Sequence, residues 1–242
     1  MINILIPLAG RNQFFPETEY PYPKSLIEIN GKTMIEHVID NFATIQKKKQ
    51  FIFIVNSEEC KKYHLDNILY LLTDHSCKVI KIDRETKGAA CSAMMAIEYI
   101  NNEMPLIITN ADQIFDENLG ELINHFHGND AGVLTFESVH PRWSYARVDD
   151  NKHITETAEK RPISKHAIAG FYYFAKGSDF INSAMQMIKK DANVNGVYFI
   201  APVLNEMVLS NKQMKIIPIA NNHYHTFYTP SKIYEYERNT QC

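Results

Sequence analysis

Residues 2–10 read Ile2-Asn3-Ile4-Leu5-Ile6-Pro7-Leu8-Ala9-Gly10. A nearly unbroken apolar run of strand length, closed by an Ala-Gly turn, is the pattern of a strand buried on both faces, as in a parallel sheet. No cationic residue precedes the run, so it is expected to be a strand and not a secretory signal. The same alternation continues outward from it. Thr33–Ile45 has helical spacing, with Met34, Ile35, Val38, Ile39 and Phe42 on one face, and Phe51–Val55 follows as a strand. Glu58–Leu72 reads as a polar-faced helix, Lys78–Ile82 as a strand and Ala89–Ile100 as a helix rich in Ala and Met. Leu106–Thr109 is a further strand that runs into Asn110-Ala111-Asp112. Strand–helix–strand order of this kind predicts an α/β fold: a mixed, mostly parallel Rossmann-like sheet with helices on both faces and right-handed crossovers. In the second half, Gly132–Phe136, Ala146–Val148, Ile154–Thr157 and Ile168–Phe174 read as strands joined by short turns. Helices are expected there at Asp179–Ile188, Pro202–Leu209 and Ile233–Asn239.

The composition narrows the functional classes. The chain has 242 residues, 45% of them hydrophobic, with 13 Phe and 13 Tyr, enough for a sizeable core. Its 25 Lys+Arg balance 28 Asp+Glu, a net charge of -3, which is no footprint for nucleic acid or an anionic membrane. No apolar run approaches the ~18–20 residues of a membrane span. The four cysteines, Cys60, Cys77, Cys91 and Cys242, form no C-x-x-C pair. A disulfide framework and a zinc ribbon are therefore not expected, and a reducing cytoplasm is the simplest setting. No Pro/Gly/Ser-rich linker divides the chain, so a single continuous domain is expected.

Several familiar motifs are missing. Gly10 stands alone after the first strand, which excludes the G-x-G-x-x-G of a dinucleotide site. Gly31-Lys32-Thr33 resembles the tail of a P-loop, but Leu26 occupies the place of its first glycine. A tight turn at Asn30-Gly31 with Thr33 at the start of a helix is the expected alternative. His223 and His225 alternate on an extended segment, more as a surface or core pair than as metal ligands.

Ligands of open α/β sheets sit beyond the carboxyl ends of the strands. That directs attention to Gly10–Lys24, Asp83–Ala90 and Asn110–Asp116. The first loop, from Leu8, Ala9, Gly10 and Arg11 to Lys24, offers backbone N–H groups, one Arg and one Lys, which suits polyphosphate. The second, Thr86-Lys87-Gly88-Ala89-Ala90, presents small residues at a helix start, where a base or ribose can approach the backbone. The third puts Asp112 at the end of a buried strand, where a Mg²⁺ shared with substrate phosphates needs a carboxylate. A polar surface loop, close packing at a helix start and an Asx turn are the structural readings of the same residues, and each loop by itself leaves both open.

Together these segments resemble one family. Ile6-Pro7-Leu8-Ala9-Gly10 through Pro23-Lys24-Ser25-Leu26-Ile27-Glu28-Ile29-Asn30-Gly31-Lys32-Thr33-Met34-Ile35 looks like the opening of the sugar-phosphate nucleotidyltransferases, the nucleotide-sugar pyrophosphorylases with a GT-A-like fold. The resemblance continues through Thr86–Ala90, Asn110–Gln113, Trp143–Ala146, Ala158–Ser164, Ala169–Phe174 and Ala201–Glu206, nearly the whole chain in order. It extends to short members encoded with capsule and lipopolysaccharide genes. It implies Mg²⁺-dependent transfer of a nucleoside monophosphate from a nucleoside triphosphate to a sugar phosphate, with pyrophosphate released. The product would be an activated precursor for surface polysaccharide. Residues 1–136 would form the nucleotide-binding half and residues 137–242 the sugar-phosphate-binding half.

Position by position, the resemblance implies that Lys24 holds nucleotide phosphates and Asp112 the metal. Leu8, Ala9, Gly10, Thr86, Lys87, Gly88, Ala89 and Asn110 would surround the nucleotide. Tyr145, Glu159, Lys160, Gly170 and Asn205 would surround the acceptor. Nucleic acid and membrane insertion are not implied, and homo-oligomerisation is left open.

The chain departs from the family pattern at two places. Phe14 stands where the opening loop usually carries an Arg, so Arg11 is expected to take over that role, with Phe14 or Phe15 packing under the loop. Thr226 or His225 stands where a second metal-binding Asp is usual. Two rival readings follow: a glycosyltransferase of the same fold, for which Asn110-Ala111-Asp112 half fits a D-x-D motif, and a non-catalytic nucleotide-binding protein.

Overall fold

The computed structural model describes residues 1–10, 14–16 and 18–240. Its first half alternates as the periodicity predicts. Strand β1 (Ile2–Pro7) is followed by a two-residue hairpin, β2 (Glu28–Ile29) and β3 (Lys32–Thr33), and then by helix α1 (Met34–Asp40). The hairpin turns at Asn30 and Gly31, whose φ angles of 48° and 80° are the left-handed pair that an Asn-Gly turn supplies. The Thr33 side chain accepts a hydrogen bond from Glu36 N at 3.3 Å and caps α1. The P-loop-like string is thus a turn and a helix cap.

Next come β4 (Lys49–Asn56), α2 (Ser57–Tyr63), α3 (Leu65–Leu72), β5 (Cys77–Ile82), α4 (Ala89–Met94), α5 (Ile97–Ile100), β6 (Leu106–Thr109), β7 (Gln113–Phe115) and α6 (Leu119–Asn124). Two of the expected helices are broken and one is short. His64, at φ 53° and ψ 41°, divides α2 from α3, because a left-handed residue cannot continue a right-handed helix. The helix expected at Ala89–Ile100 divides into α4 and α5. Helix α1 ends at Asp40 and gives way to tighter turns, Phe42 N to Ile39 O and Ala43 N to Asp40 O, while the Asn41 amide bonds both backbone groups of Phe115, at 2.9 and 2.7 Å.

The second half comprises β8 (Ala131–Glu137), β9 (Ser144–Val148), β10 (Ile154–Glu159), β11 (His166–Phe174), α7 (Gly177–Lys189), α8 (Val203–Leu209), β12 (Met214–Pro218), β13 (Tyr224–Thr226) and α9 (Pro230–Thr240). One nine-stranded sheet runs through both halves in the order β10-β9-β11-β6-β1-β4-β5, with β8 and β12 on a branch from β11. Strands β6, β1, β4 and β5 are mutually parallel, and β11 joins β6 antiparallel.

The sheet is covered on both faces, which is why β1 reads as continuously apolar. Ile2, Ile4 and Ile6 pack with Ile35, Phe42, Phe51 and Phe53 on one side, and Leu5, Ile52 and Ile54 pack with Ala93, Phe180 and Leu204 on the other. Cys60 and Cys77 are buried and Cys91 partly so, and burial pushes all three thiols up, which disfavours the thiolate. No described helix is long and apolar enough to cross a membrane.

Candidate active site

Because β1, β5 and β6 run in the same direction, their carboxyl ends open on one edge of the sheet. The loops leaving them line a cleft of about 580 Å³ with Leu8, Ala9, Gly10, Lys24, Thr86, Lys87, Gly88, Ala89, Asn110 and Asp112 in its wall. The sequence places these residues up to a hundred positions apart, and the topology brings them together. Glu59, Ser92, Val197 and Phe199 also line the cleft and were not singled out by the sequence. None of them sits in a motif, so no local signal marks them.

Lys24 begins a single 3₁₀ turn, Lys24–Leu26, and its ammonium pairs with the Asp112 carboxylate. Both groups keep contact with solvent, at 18% and 29% exposure, so a ligand can reach them. The ammonium also lies 5.1 Å from the Phe15 ring centroid. Phe15 is buried against Ile29, Met34 and Phe227, whereas Phe14 is exposed, so of the two it is Phe15 that packs inward. Arg11 lies outside the described residues.

The second loop is held by chemistry of its own. Thr86 Oγ1 donates to Gly88 O at 3.0 Å and meets Ser92 Oγ at 2.6 Å. Gly88, at φ +118°, passes so close to Tyr198 that a Cβ would stand 2.4 Å from its carbonyl oxygen. The absence of a side chain there serves chain packing, and the 197–199 segment becomes a wall of the cleft.

The third loop rests on a buried amide. Gln113 Nε2 donates to Gly170 O at 2.9 Å and Thr109 Oγ1 at 3.1 Å, and its Oε1 accepts from Asn110 Nδ2 at 3.2 Å and the Tyr224 hydroxyl at 3.0 Å. Gln113 ends the family-like string Asn110–Gln113, and nothing local in that string marks the role these four bonds give it. Gly170, at φ +60°, lies under Asn110 and Gln113, where a Cβ would stand 2.2 Å from Asn110 Nδ2.

The five residues expected around the acceptor divide into two groups. Glu159 accepts from Ser144 Oγ, and burial pushes its carboxyl above the usual carboxylate range. Lys160, at φ 54°, places its ammonium 5.0 Å from the ring centroid of the cleft residue Phe199. None of the five lines the cleft itself; Lys160 meets it through Phe199 and Gly170 through Asn110, whereas Tyr145 and Asn205 face away into the scaffold. Tyr145 is fully buried and donates to His140 O at 2.6 Å. Asn205 uses both ends of its amide on the Thr157 backbone, at 2.7 and 2.9 Å, and so pins α8 to β10. Both side chains are committed to the scaffold.

The C-terminal segment closes the far side. β13 pairs with β7, Thr226 opposite Gln113, and Phe227 N donates to Asp112 O at 2.8 Å. Thr226, one of the two residues set against the family's second Asp, therefore stands beside Asp112. His225 meets Asp116 at 2.7 Å and His223 meets Glu117 at 2.8 Å, each His with a carboxylate of its own. Among the described residues no group of three or more His, Cys, Asp or Glu could hold a metal. Mg²⁺ keeps several waters and takes one or two carboxylates beside substrate phosphates. Asp112, a solvent-reachable carboxylate already facing a cation, fits that requirement as a single protein ligand.

The family model described as Nucleotidyl transferase matches residues 12–221. The chain belongs to the nucleotidyltransferase family. Among related nucleotidyltransferases, the bifunctional protein GlmU of Buchnera aphidicola subsp. Schizaphis graminum is 25% identical over 228 residues, covering 91% of this chain and 46% of that protein. The chain thus spans about half the length of that relative. The UTP–glucose-1-phosphate uridylyltransferase AglF of Haloferax volcanii is 24% identical over 208 residues, covering 81% of this chain and 79% of that one. A nucleoside-diphosphate-sugar pyrophosphorylase from Vibrio cholerae RC9 has the same fold, with a TM-score of 0.86 at 22% identity over 97% of this chain and 99% of that one.

Proposed function

We propose that the protein is a sugar-phosphate nucleotidyltransferase, which joins a nucleoside monophosphate to a sugar phosphate and releases pyrophosphate. One observation carries the reading. The loops leaving β1, β5 and β6 meet in one cleft, with the Lys24 ammonium and the Asp112 carboxylate side by side in its wall. The names of the uridylyltransferase and pyrophosphorylase relatives support the same reaction class.

In this reading residues 1–136 bind the nucleotide and residues 137–242 the sugar phosphate. An oxygen of the acceptor phosphate, already anionic, attacks the α-phosphorus. A new P–O bond forms, the bond from the α-phosphorus to the oxygen bridging to the β-phosphate breaks, and the electron pair leaves with pyrophosphate. No general base is needed, so the work of the protein is positioning and neutralisation of charge. Asp112 would hold Mg²⁺, which when bound supplies charge neutralisation on the phosphates. Lys24 carries a point charge to the triphosphate, Lys160 one to the acceptor phosphate, and Arg11 a forked guanidinium to the leaving pyrophosphate. Thr86–Ala89 face the nucleoside. We further infer a cytoplasmic setting and a product used as an activated precursor of a surface polysaccharide.

The test is a pyrophosphate-release screen of four nucleoside triphosphates against a panel of sugar phosphates, with Mg²⁺ and with chelator. Mg²⁺-dependent release with at least one pair is expected. Silence across the panel, with glycosyl transfer from a nucleotide sugar instead, would replace this reading.

A further inference from the structure

Arg142 is a cation that the scaffold does not use. Its guanidinium carbon lies 3.4 Å from the Tyr228 ring centroid and 5.2 Å from that of Trp143. At 3.4 Å the guanidinium is in contact with the Tyr228 face, which restrains it, and among the described residues its N–H groups have no hydrogen-bond partner. No carboxylate among the described residues lies within ion-pair distance of it, although Arg147 and Arg161 both pair with Glu156.

The aromatic platform under Arg142 does not line the cleft itself but is tied to the loop that carries Asp112. Trp143 packs on Phe136, Tyr224 and Tyr228 with ring centroids 5.2, 6.1 and 6.4 Å apart. Tyr224 reaches Gln113, and Phe227, the neighbour of Tyr228, donates to the Asp112 carbonyl at 2.8 Å. On the other flank Lys160 N donates to Trp143 O at 3.0 Å, and Ser144 pairs with Glu159. Arg142 therefore sits between the loop that carries Asp112 and the strand end that carries Glu159 and Lys160. Burial, with the Asp112 carboxylate adding to it, pushes the Tyr224 hydroxyl well up, and the Arg142 guanidinium opposes this weakly.

We propose that Arg142 is the oxyanion-binding residue of the acceptor subsite, its in-plane N–H groups taking two oxygens of an acceptor phosphate or carboxylate. The assignment rests on the proposed function for the word acceptor, and on the geometry alone for the anion. A guanidinium restrained by aromatic rings has already lost rotamer freedom, so binding a planar or tetrahedral oxyanion needs less further ordering. Lys160, whose backbone N–H is bonded to Trp143 O, brings a second cation to this strand end, its ammonium over Phe199.

The chain contains a single tryptophan, and it is the residue next to Arg142. Its fluorescence therefore reports on the site without any need for turnover. The full-length protein is titrated with inorganic phosphate, glucose 1-phosphate and acetate at constant ionic strength. A saturable change with one of these oxyanions is expected, lost in Arg142→Ala and weakened about tenfold in Arg142→Lys, which keeps the charge without the fork. The oxyanion that saturates at the lowest concentration identifies phosphate or carboxylate as the partner. No saturable response in the wild type, or an unchanged response in Arg142→Ala, overturns the assignment. In the pyrophosphate assay Arg142→Ala should raise the acceptor KM about tenfold and leave the triphosphate KM unchanged, whereas a raised triphosphate KM alone would place Arg142 on the wrong side. A wild type that binds oxyanion at Trp143 but releases no pyrophosphate would sink the proposed function and leave the Arg142 site standing.

Discussion

Replacing Gly170 by Ala tests the account of the cleft floor directly. Gly170 lies within β11 at φ +60°, and its carbonyl accepts from Asn110 N at 3.2 Å and Gln113 Nε2 at 2.9 Å. An added Cβ would stand 2.2 Å from Asn110 Nδ2 and 2.5 Å from Gln113 Oε1. Gln113 cannot retreat easily, since it is buried and its amide is bonded to Thr109, Gly170 and Tyr224. The left-handed backbone costs a non-glycine residue ~1–2 kcal/mol, and the overpacking a further ~1–3 kcal/mol. Together they amount to about 2–5 kcal/mol, or about 4–20 °C in Tm for a chain of this size. Gly128 provides the control. It has a positive φ of +84° with nothing within 4 Å of its Cβ position, so Gly128→Ala carries the backbone cost alone. Thermal unfolding by circular dichroism of both variants separates the two effects. Equal melting temperatures for Gly170→Ala and Gly128→Ala would refute the packing argument, and with it the claim that Gly170 supports Asn110 and Gln113 from below.

Asp112→Asn removes one electrostatic stabiliser and is expected to keep the fold while lowering turnover by ~10²–10³; unchanged turnover at saturating Mg²⁺ would rule out its metal role. Lys24→Ala should chiefly weaken triphosphate binding and Lys160→Ala that of the acceptor, and direct titration of each ligand on each variant shows whether the two lysines have been assigned to the right substrates. Glu159 is held above the usual carboxylate range by burial, so the wild type loses the stability of the protonated form as pH rises from the ordinary Glu value through the raised one. Glu159→Gln escapes that loss; its Tm relative to wild type should be higher at pH 7 than at pH 4, and a constant difference would contradict the burial cause. Arg11→Lys keeps charge without the fork and should cost turnover nearly as much as Arg11→Ala; rates within about twofold of wild type for both, below ~0.5 kcal/mol, would make Arg11 a bystander.

What the sequence determines here is local and periodic. Ile2–Pro7, Phe51–Val55 and Leu106–Thr109 could be read as buried strands because both of their faces meet apolar layers, which leaves no polar alternation in the string. Asn30-Gly31 and Thr33 could be read as a turn and a cap because those conformations depend on the residues themselves. The three strand-end loops followed from parallel order alone. Tertiary structure decided the rest, because it depends on partners far along the chain. The Asn41 amide is held by the Phe115 backbone, and Gln113 gains its role from Gly170 and Tyr224. Tyr145 and Asn205 belong to segments that match the family, yet one turns its hydroxyl to His140 and the other its amide to Thr157. Arg142 looks like any surface arginine until β9 and the segment after β13 set Trp143 and Tyr228 beneath it. A residue's type determines which bonds it can make, but only the assembled chain determines which partner stands within 3 Å of it.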